Sequence, residues 1–212
     1  MTDVLRTDDL RQAERFDQWR HWATSTCVPL ECAPVSREPF RAELASWTVG
    51  ELLITRLHAG PHLASRTRRM IAASDRDYYK VGLQVRGRCR LSQDGREAML
   101  QPGDIAIYDC SRPYTMSFDG PFEMSFLTFP HSRLRLPRLA VTEVPATRVP
   151  GNGSTASLVA PFMCRLVKSL EHSQEAVNRK LADSVLDLLA AMFAEQTGKP
   201  ATDPAVTRRF LL

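Results

Sequence analysis

The stretch GDIAIYDCSRPYTMSF, Gly103–Phe118, carries the fold in miniature. Pro102-Gly103 suits the central pair of a type II turn, because the second central position needs a positive φ and glycine takes it without strain. DIAIYD then reads as a short strand, CSRP as a turn and YTMSF as a second strand. Hydrophobic, β-branched and aromatic residues fill the two runs, and turn-formers separate them.

The same rhythm spreads outward from Arg41 to Val144. ELASWTV, ELLITRLH, YYKVGLQVRG, RCRLSQ, REAML and EMSFLTF add six more strand-like runs. Asp94-Gly95 between two of them is a strong hairpin signal, and Asp119-Gly120 is read as a second. Many short strands at this spacing predict a sandwich or a closed barrel.

The flanks are helical. From Asp8 to about Ala23, Leu10, Ala13, Phe16, Trp19 and Trp22 recur at helical spacing, which predicts one amphipathic helix laid on something larger. Pro29, Pro34 and Pro39 mark an extended connector. After PGNGST (150–155), Leu158, Phe162, Met163, Leu166 and Leu170 line one helix face, and Pro161 is compatible with it only if the helix begins near Ala160. A second helix, about Glu175 to Ala194, aligns Val177, Leu181, Val185, Leu188 and Met192. It also carries Leu186, Leu189 and Phe193. So wide an apolar arc needs two partners, its own barrel and a second subunit. Leu181, Val185, Leu188 and Met192 are the candidate dimerisation residues. Asp203-Pro204 then looks like the start of a new helix, as in a chain cut at a domain boundary.

Composition narrows the class. The 212 residues are 43% hydrophobic and 25% charged, which excludes disordered and fibrous chains. The net charge of +4 neither demands nor excludes nucleic acid, although a dedicated DNA-binding domain is usually more strongly basic. The acidic start has no apolar core and is no signal peptide, and no run is long enough to span a bilayer. Five cysteines form no CxxC pair, so reduced thiols in a cytoplasm are expected, with Cys110 a small buried thiol. The histidines show no metal-ligand spacing on any one element. There is no GxSxG, no phosphate-cradling glycine loop and no SxxK.

The opening stretch has the spacing of the second motif of cupin barrels. In metal-binding cupins a histidine stands where this chain has Tyr114, and a carboxylate stands seven residues before a motif glycine, a slot filled here by Lys80 ahead of Gly87. The first-motif histidine slots fall among Ala73, Ser74, Asp75 and Arg76. All four ligand slots lack their ligand, and a lysine among them would repel a divalent cation. No metal and no other cofactor is expected.

The run from Pro61 to Pro130, most specifically DGRE…LQPGDIAIYD.SRPY, resembles the N-terminal, AraC-binding-like domain of AraC-family transcription regulators. The opening helix and the two closing helices match in position. The resemblance implies a mainly β fold, a cupin-like jelly-roll barrel with one N-terminal and two C-terminal helices. It also implies a small organic effector in the barrel, a homodimer, and promoter DNA bound through a C-terminal helix-turn-helix domain that these residues do not include. The expected layout is helix and connector over 1–40, effector barrel over 41–150, helical dimerisation hairpin over 151–197, and linker with the start of the next domain over 198–212.

Six residues are candidates for ligand binding, each with a plainer alternative. Tyr114 and Tyr108 offer a hydroxyl to an effector, or are packed aromatics. Lys80 and Gln84 share a strand face opposite Val81, Leu83 and Val85. The cupin alignment turns the polar set inward, whereas ordinary alternation turns the apolar set inward. His62 and Arg66 contact an anion or effector at the barrel mouth, or belong to a solvated basic strand edge. Arg133, Arg135 and Arg138 are expected at the surface. The competing function is a metal-free cupin isomerase or lyase, for which Lys80 and Tyr114 are the one acid–base pair the spacing offers.

Overall fold

The computed structural model describes residues 2–26, 28–36, 38–73, 77–134, 145–170 and 175–196. Its elements are β1 (Thr2–Arg6), α1 (Gln12–Thr26), β2 (Glu31–Pro34), β3 (Ala42–Val49), β4 (Leu52–Ala59), β5 (His62–Arg66), α2 (Arg68–Ala72), β6 (Tyr78–Arg86), β7 (Cys89–Gln93), β8 (Arg96–Leu100), β9 (Ile105–Asp109), β10 (Tyr114–Phe118), β11 (Phe122–Pro130), α3 (Ala156–Ser169) and α4 (Glu175–Gln196). Two antiparallel sheets face each other. One has the order β1-β3-β4-β11-β6-β9 and the other β2-β5-β10-β7-β8. Ser74–Arg76, Arg135, Arg138, Cys27 and the segment 198–212 lie outside the described residues.

Strands β3, β4, β6, β9 and β11 of the six-stranded sheet bury residues on both faces, and this settles the ambiguity of β6. Tyr79, Val81 and Leu83 pack outward with Ile105, Ile107, Leu127 and Phe129 against α3 and α4. Lys80, Gly82 and Gln84 therefore point between the sheets. Glycine is required between those two side chains, since a Cβ on Gly82 would lie 2.9 Å from Met124 Cε and 3.0 Å from Phe126. The space between the sheets holds a second core, including Leu44, Leu91, Ala106, Tyr108, Tyr114, Met116, Phe122 and Phe126. α1 closes one side of it with Trp19, and Phe16 stands edge-on to Phe40 with centroids 4.9 Å apart.

Several local expectations change. The connector contributes β2, which pairs with β5, and the N-terminal residues form β1 against β3. Asp94 (φ 53°) and Gly95 (φ 75°) make the expected hairpin turn. Asp119-Gly120 does not: β10 and β11 belong to different sheets, and Gly120 is not among the positive-φ residues. The chain crosses there, with Phe118 and Phe122 stacked 3.6 Å apart at the corner. Pro161 lies inside α3, which starts at Ala156. Its missing N–H leaves the carbonyl of Ser157, an exposed residue whose acceptor solvent can take.

Candidate functional site in the barrel interior

All six predicted residues are buried, so His62 and Arg66 are not a solvated strand edge. Alternation places His62, Ala64 and Arg66 of β5 inward, and the outward set carries the exposure instead. The structure separates the six. Arg66 is paired in register with Tyr114, and Lys80 with Tyr108. The Tyr108 and Tyr114 rings meet edge-to-face at 4.6 Å, joining the two pairs into one end of the barrel. Gln84 sits at mid-height beside Met124, with its Nε2 donating to the Arg86 carbonyl at 2.6 Å. His62 lies at the opposite end.

His62 sits among rings. Trp19, Phe40, Phe118, Phe122 and Phe16 surround it with centroids 5.1 to 6.4 Å away. Its Nδ1 donates to the Gly60 carbonyl at 3.0 Å. Burial pushes its pKa down to about 4, against the smaller opposing effect of that bond. It is a neutral aromatic core residue at neutral pH.

The Arg66–Lys80 end has a different chemistry. Arg66 is 1% exposed; its Nε donates to the Cys110 carbonyl at 2.7 Å and its Nη1 to the Pro29 carbonyl at 2.8 Å. Lys80 is 4% exposed, with its Nζ over the Phe126 ring at 4.4 Å from the centroid. Neither cation forms an ion pair with a carboxylate among the described residues. Burial pushes the Cys32 thiol up to about 11, while the charges of Arg20 and Lys80 work the other way, so Lys80 is felt across the interior at β2. Beside Lys80 in register stands Thr128, and beside Thr128 stands Leu53. Thr128 and Thr55 are both inward and buried.

The turn below Tyr114 is tied down by Asp109. Its carboxylate accepts from Ser111 N at 2.8 Å, Ser111 Oγ at 2.6 Å, Arg112 Nε at 3.1 Å and His131 Nε2 at 3.1 Å. Burial alone would raise this carboxyl, but the bonds from His131 and Ser111 hold it down to about 2. For His131 burial acts downward, and the Asp109 bond and charge overcome it and raise its pKa. Gln93 locks the same turn from β7, donating to the Asp109 carbonyl at 2.8 Å and accepting from Asp109 N at 2.9 Å. Gln93 and Thr128 escape a sequence reading, because only strand register places them beside Tyr114 and Lys80, and Thr55 escapes it likewise, standing in register with Phe126.

Three surface concavities stand out among the described residues. One of about 700 Å³ lies between α1 and the segment around Phe40 and Pro61. One of about 420 Å³ lies beside Arg20 and Cys32. One of about 610 Å³ is lined by Val4, Leu5, Ser25, Thr26, Ser46, Thr48 and Leu53. None is lined by any of the six predicted residues. The third opens toward the Lys80 end, since Ser46, Thr48 and Leu53 are inward positions of β3 and β4. Among the described residues no group of three or more His, Cys, Asp or Glu converges as a metal site, and no helix is long and apolar enough to cross a membrane.

Two stacked antiparallel sheets, a polar interior end and flanking helices define a cupin-like barrel of the kind found in regulatory sensing domains. The AraC-binding-like domain family matches residues 19–194, and the chain belongs to that family. It is 31% identical over 199 residues to an uncharacterized protein in the nit 5′ region of Bacillus sp. (strain OxB-1), covering 93% of this chain and 77% of that protein. It is 28% identical over 212 residues to the transcriptional activator NphR of Rhodococcus sp., covering 97% of this chain and 62% of NphR, so it spans less than two thirds of that relative. The crystal structure of the AraC-like transcriptional activator CuxR matches with a TM-score of 0.81 and 22% identity, over 92% of this chain and 70% of CuxR; that likeness is one of fold.

Proposed function

We propose that this chain is the effector-sensing and dimerisation module of an AraC-type regulator. A small organic molecule enters the barrel at the Lys80–Tyr114 end and biases how two subunits present helix-turn-helix domains outside these 212 residues. That is coupling between two sites, and it requires the effector to bind the two arrangements with different affinity. The observation that carries the reading is the interior itself. Arg66, Lys80, Thr55 and Thr128 are buried where apolar packing would serve the fold better, so a ligand gives them a purpose. Binding is favoured over catalysis because Lys80 rests on a ring and, among the described residues, forms no ion pair with a carboxylate that could exchange its proton. The cytoplasm and a metal-free barrel are part of the same proposal.

Tyr114 tests the pocket. With an effector found by thermal-shift screening, Tyr114→Phe is expected to weaken binding by about 1 kcal/mol, the net worth of one neutral hydrogen bond. Tyr114→Ala weakens it further and lowers the melting temperature through a cavity. If calorimetry finds unchanged affinity in Tyr114→Phe while Tyr114→Ala only melts earlier, Tyr114 is a packing residue and the pocket lies elsewhere.

The dimer face is narrower than the helix pattern alone implies. Val185 and Met192 are wholly buried against the chain's own barrel, so they are not available to a second copy. Leu181 and Leu188 are half-buried and share a stripe with Val177, which is 48% exposed. On α3, Leu158 is 65% exposed. Leu181→Glu combined with Leu188→Glu should give monomers, at a cost of a few kcal/mol to association. A monomer for the unmodified chain at micromolar concentration, by light scattering, would refute the dimer.

A further inference from the structure

Among the described residues, the buried barrel interior holds cations without anions. The inward strand positions that are buried among these residues include two cations, Lys80 and Arg66, and no Asp or Glu. The nearby carboxylate of Asp109 is committed to Ser111, Arg112 and His131. A buried charge without a counter-charge costs several kcal/mol, and contact with one ring offsets only part of that. Unmatched donors lie alongside. Arg66 spends Nε and Nη1 on two carbonyls, but its buried Nη2 has no acceptor among the described residues. The buried hydroxyls of Thr128 and Thr55 are without partners as well. Thr128 adjoins Lys80 in register, and the line continues through Leu53 to the concavity of about 610 Å³.

We infer that this end of the barrel is built for a small organic acid whose carboxylate is taken by Lys80 and the free arm of Arg66. A carboxylate accepts up to four hydrogen bonds and cancels one of the two charges, which no neutral molecule of the same shape does. Thr128 adds a hydroxyl donor beside it, and the apolar rings of Phe126 and Tyr108 receive the organic part. The inference rests on the sensing role proposed above and names its ligand class.

The test compares matched acids and amides. Benzoate against benzamide, and hexanoate against hexanamide, are titrated by calorimetry at constant ionic strength into the full chain and into Lys80→Met. At least one acid should bind, roughly tenfold or more tighter than its amide. Lys80→Met should erase that preference while the free variant melts no earlier than the parent, because it loses a cation that the fold does not need. Thr128→Val, close to isosteric, is the second variant and should weaken the acid with the fold intact. Acids and amides binding alike would refute the anionic class and leave a sensor of neutral molecules standing. Binding by none of the four compounds would count against the acid site, and a free Lys80→Met that melts as early as a core-deletion variant would show the cation serves the fold.

Discussion

Replacing Gly151 with alanine is expected to cost the domain about 3 kcal/mol or more, among the largest losses open to a single methyl group. A Cβ at Gly151 would lie 2.2 Å from the Gly103 carbonyl oxygen and 2.6 Å from its carbon. Neither partner can give way easily. Gly103 is the φ +92° position of the turn closed by Asp104 N on the Gln101 carbonyl at 2.9 Å. Asp104 in turn receives Arg148 Nε at 2.5 Å and Gly151 N at 3.4 Å, so strand β9 and the lead into α3 are clamped together. Urea unfolding should show a lower midpoint with an unchanged slope. Gly120→Ala is the control: nothing lies within 4 Å of its Cβ position, and its effect should be small. Equal midpoints for the two variants would mean that the Gly103–Gly151 contact is not the constraint described here.

Acidification gives the second large effect. The folded pKa of His62 is lowered to about 4 from 6.5, so the unfolded chain binds the extra proton first. Stability from this group is full above pH 6.5 and falls as the pH drops toward 4, by up to about 3 kcal/mol. The groups facing it are the rings of Phe16, Trp19, Phe40, Phe118 and Phe122 and the Gly60 carbonyl, so no charge from a neighbouring element competes. The Asp109–His131 pair acts outside that window. Its Asp109 share is lost only as the pH falls toward 2, and its His131 share is lost as the pH rises above 6.5. His62→Phe should flatten the loss between pH 6.5 and 4 in denaturant titrations. A variant that keeps the full slope would assign the acid sensitivity elsewhere.

The family resemblance foreshadowed the cupin-like barrel, with one helix before it and two after. Eight strands were legible because each pairs alternating or continuous apolar runs with turn residues that have a mechanism, as at Pro102-Gly103 and Asp94-Gly95. β1, β2 and β5 were not, for separate reasons. TDVLR is short and polar, ECAP sits among prolines, and HLASR lacks the β-branched residues that mark a strand. Asp119-Gly120 misled because a turn pair says nothing about whether the strands it joins share a sheet. The site was legible in part. Lys80 and Tyr114 were reached through motif spacing. The direction of Lys80 could not be read from alternation, since the helices bury the apolar face as thoroughly as the barrel buries the polar one. His62 and Arg66 looked like a charged edge because the rings of α1 and the carbonyls of Pro29 and Cys110 that bury them come from distant segments.

The central claim is that the barrel interior takes a small molecule, and the methionine methyl groups report on it directly. Met116 and Met124 belong to the interior core, whereas Met163 and Met192 pack in the helical layer. Methyl spectra of the chain should be recorded with the strongest stabiliser from a thermal-shift screen of small organic acids, amides and sugars. The Met116 and Met124 signals are expected to move together with saturation while Met163 and Met192 hold still. Saturable stabilisation with Met116 and Met124 unmoved would place the ligand outside the barrel and contradict that claim.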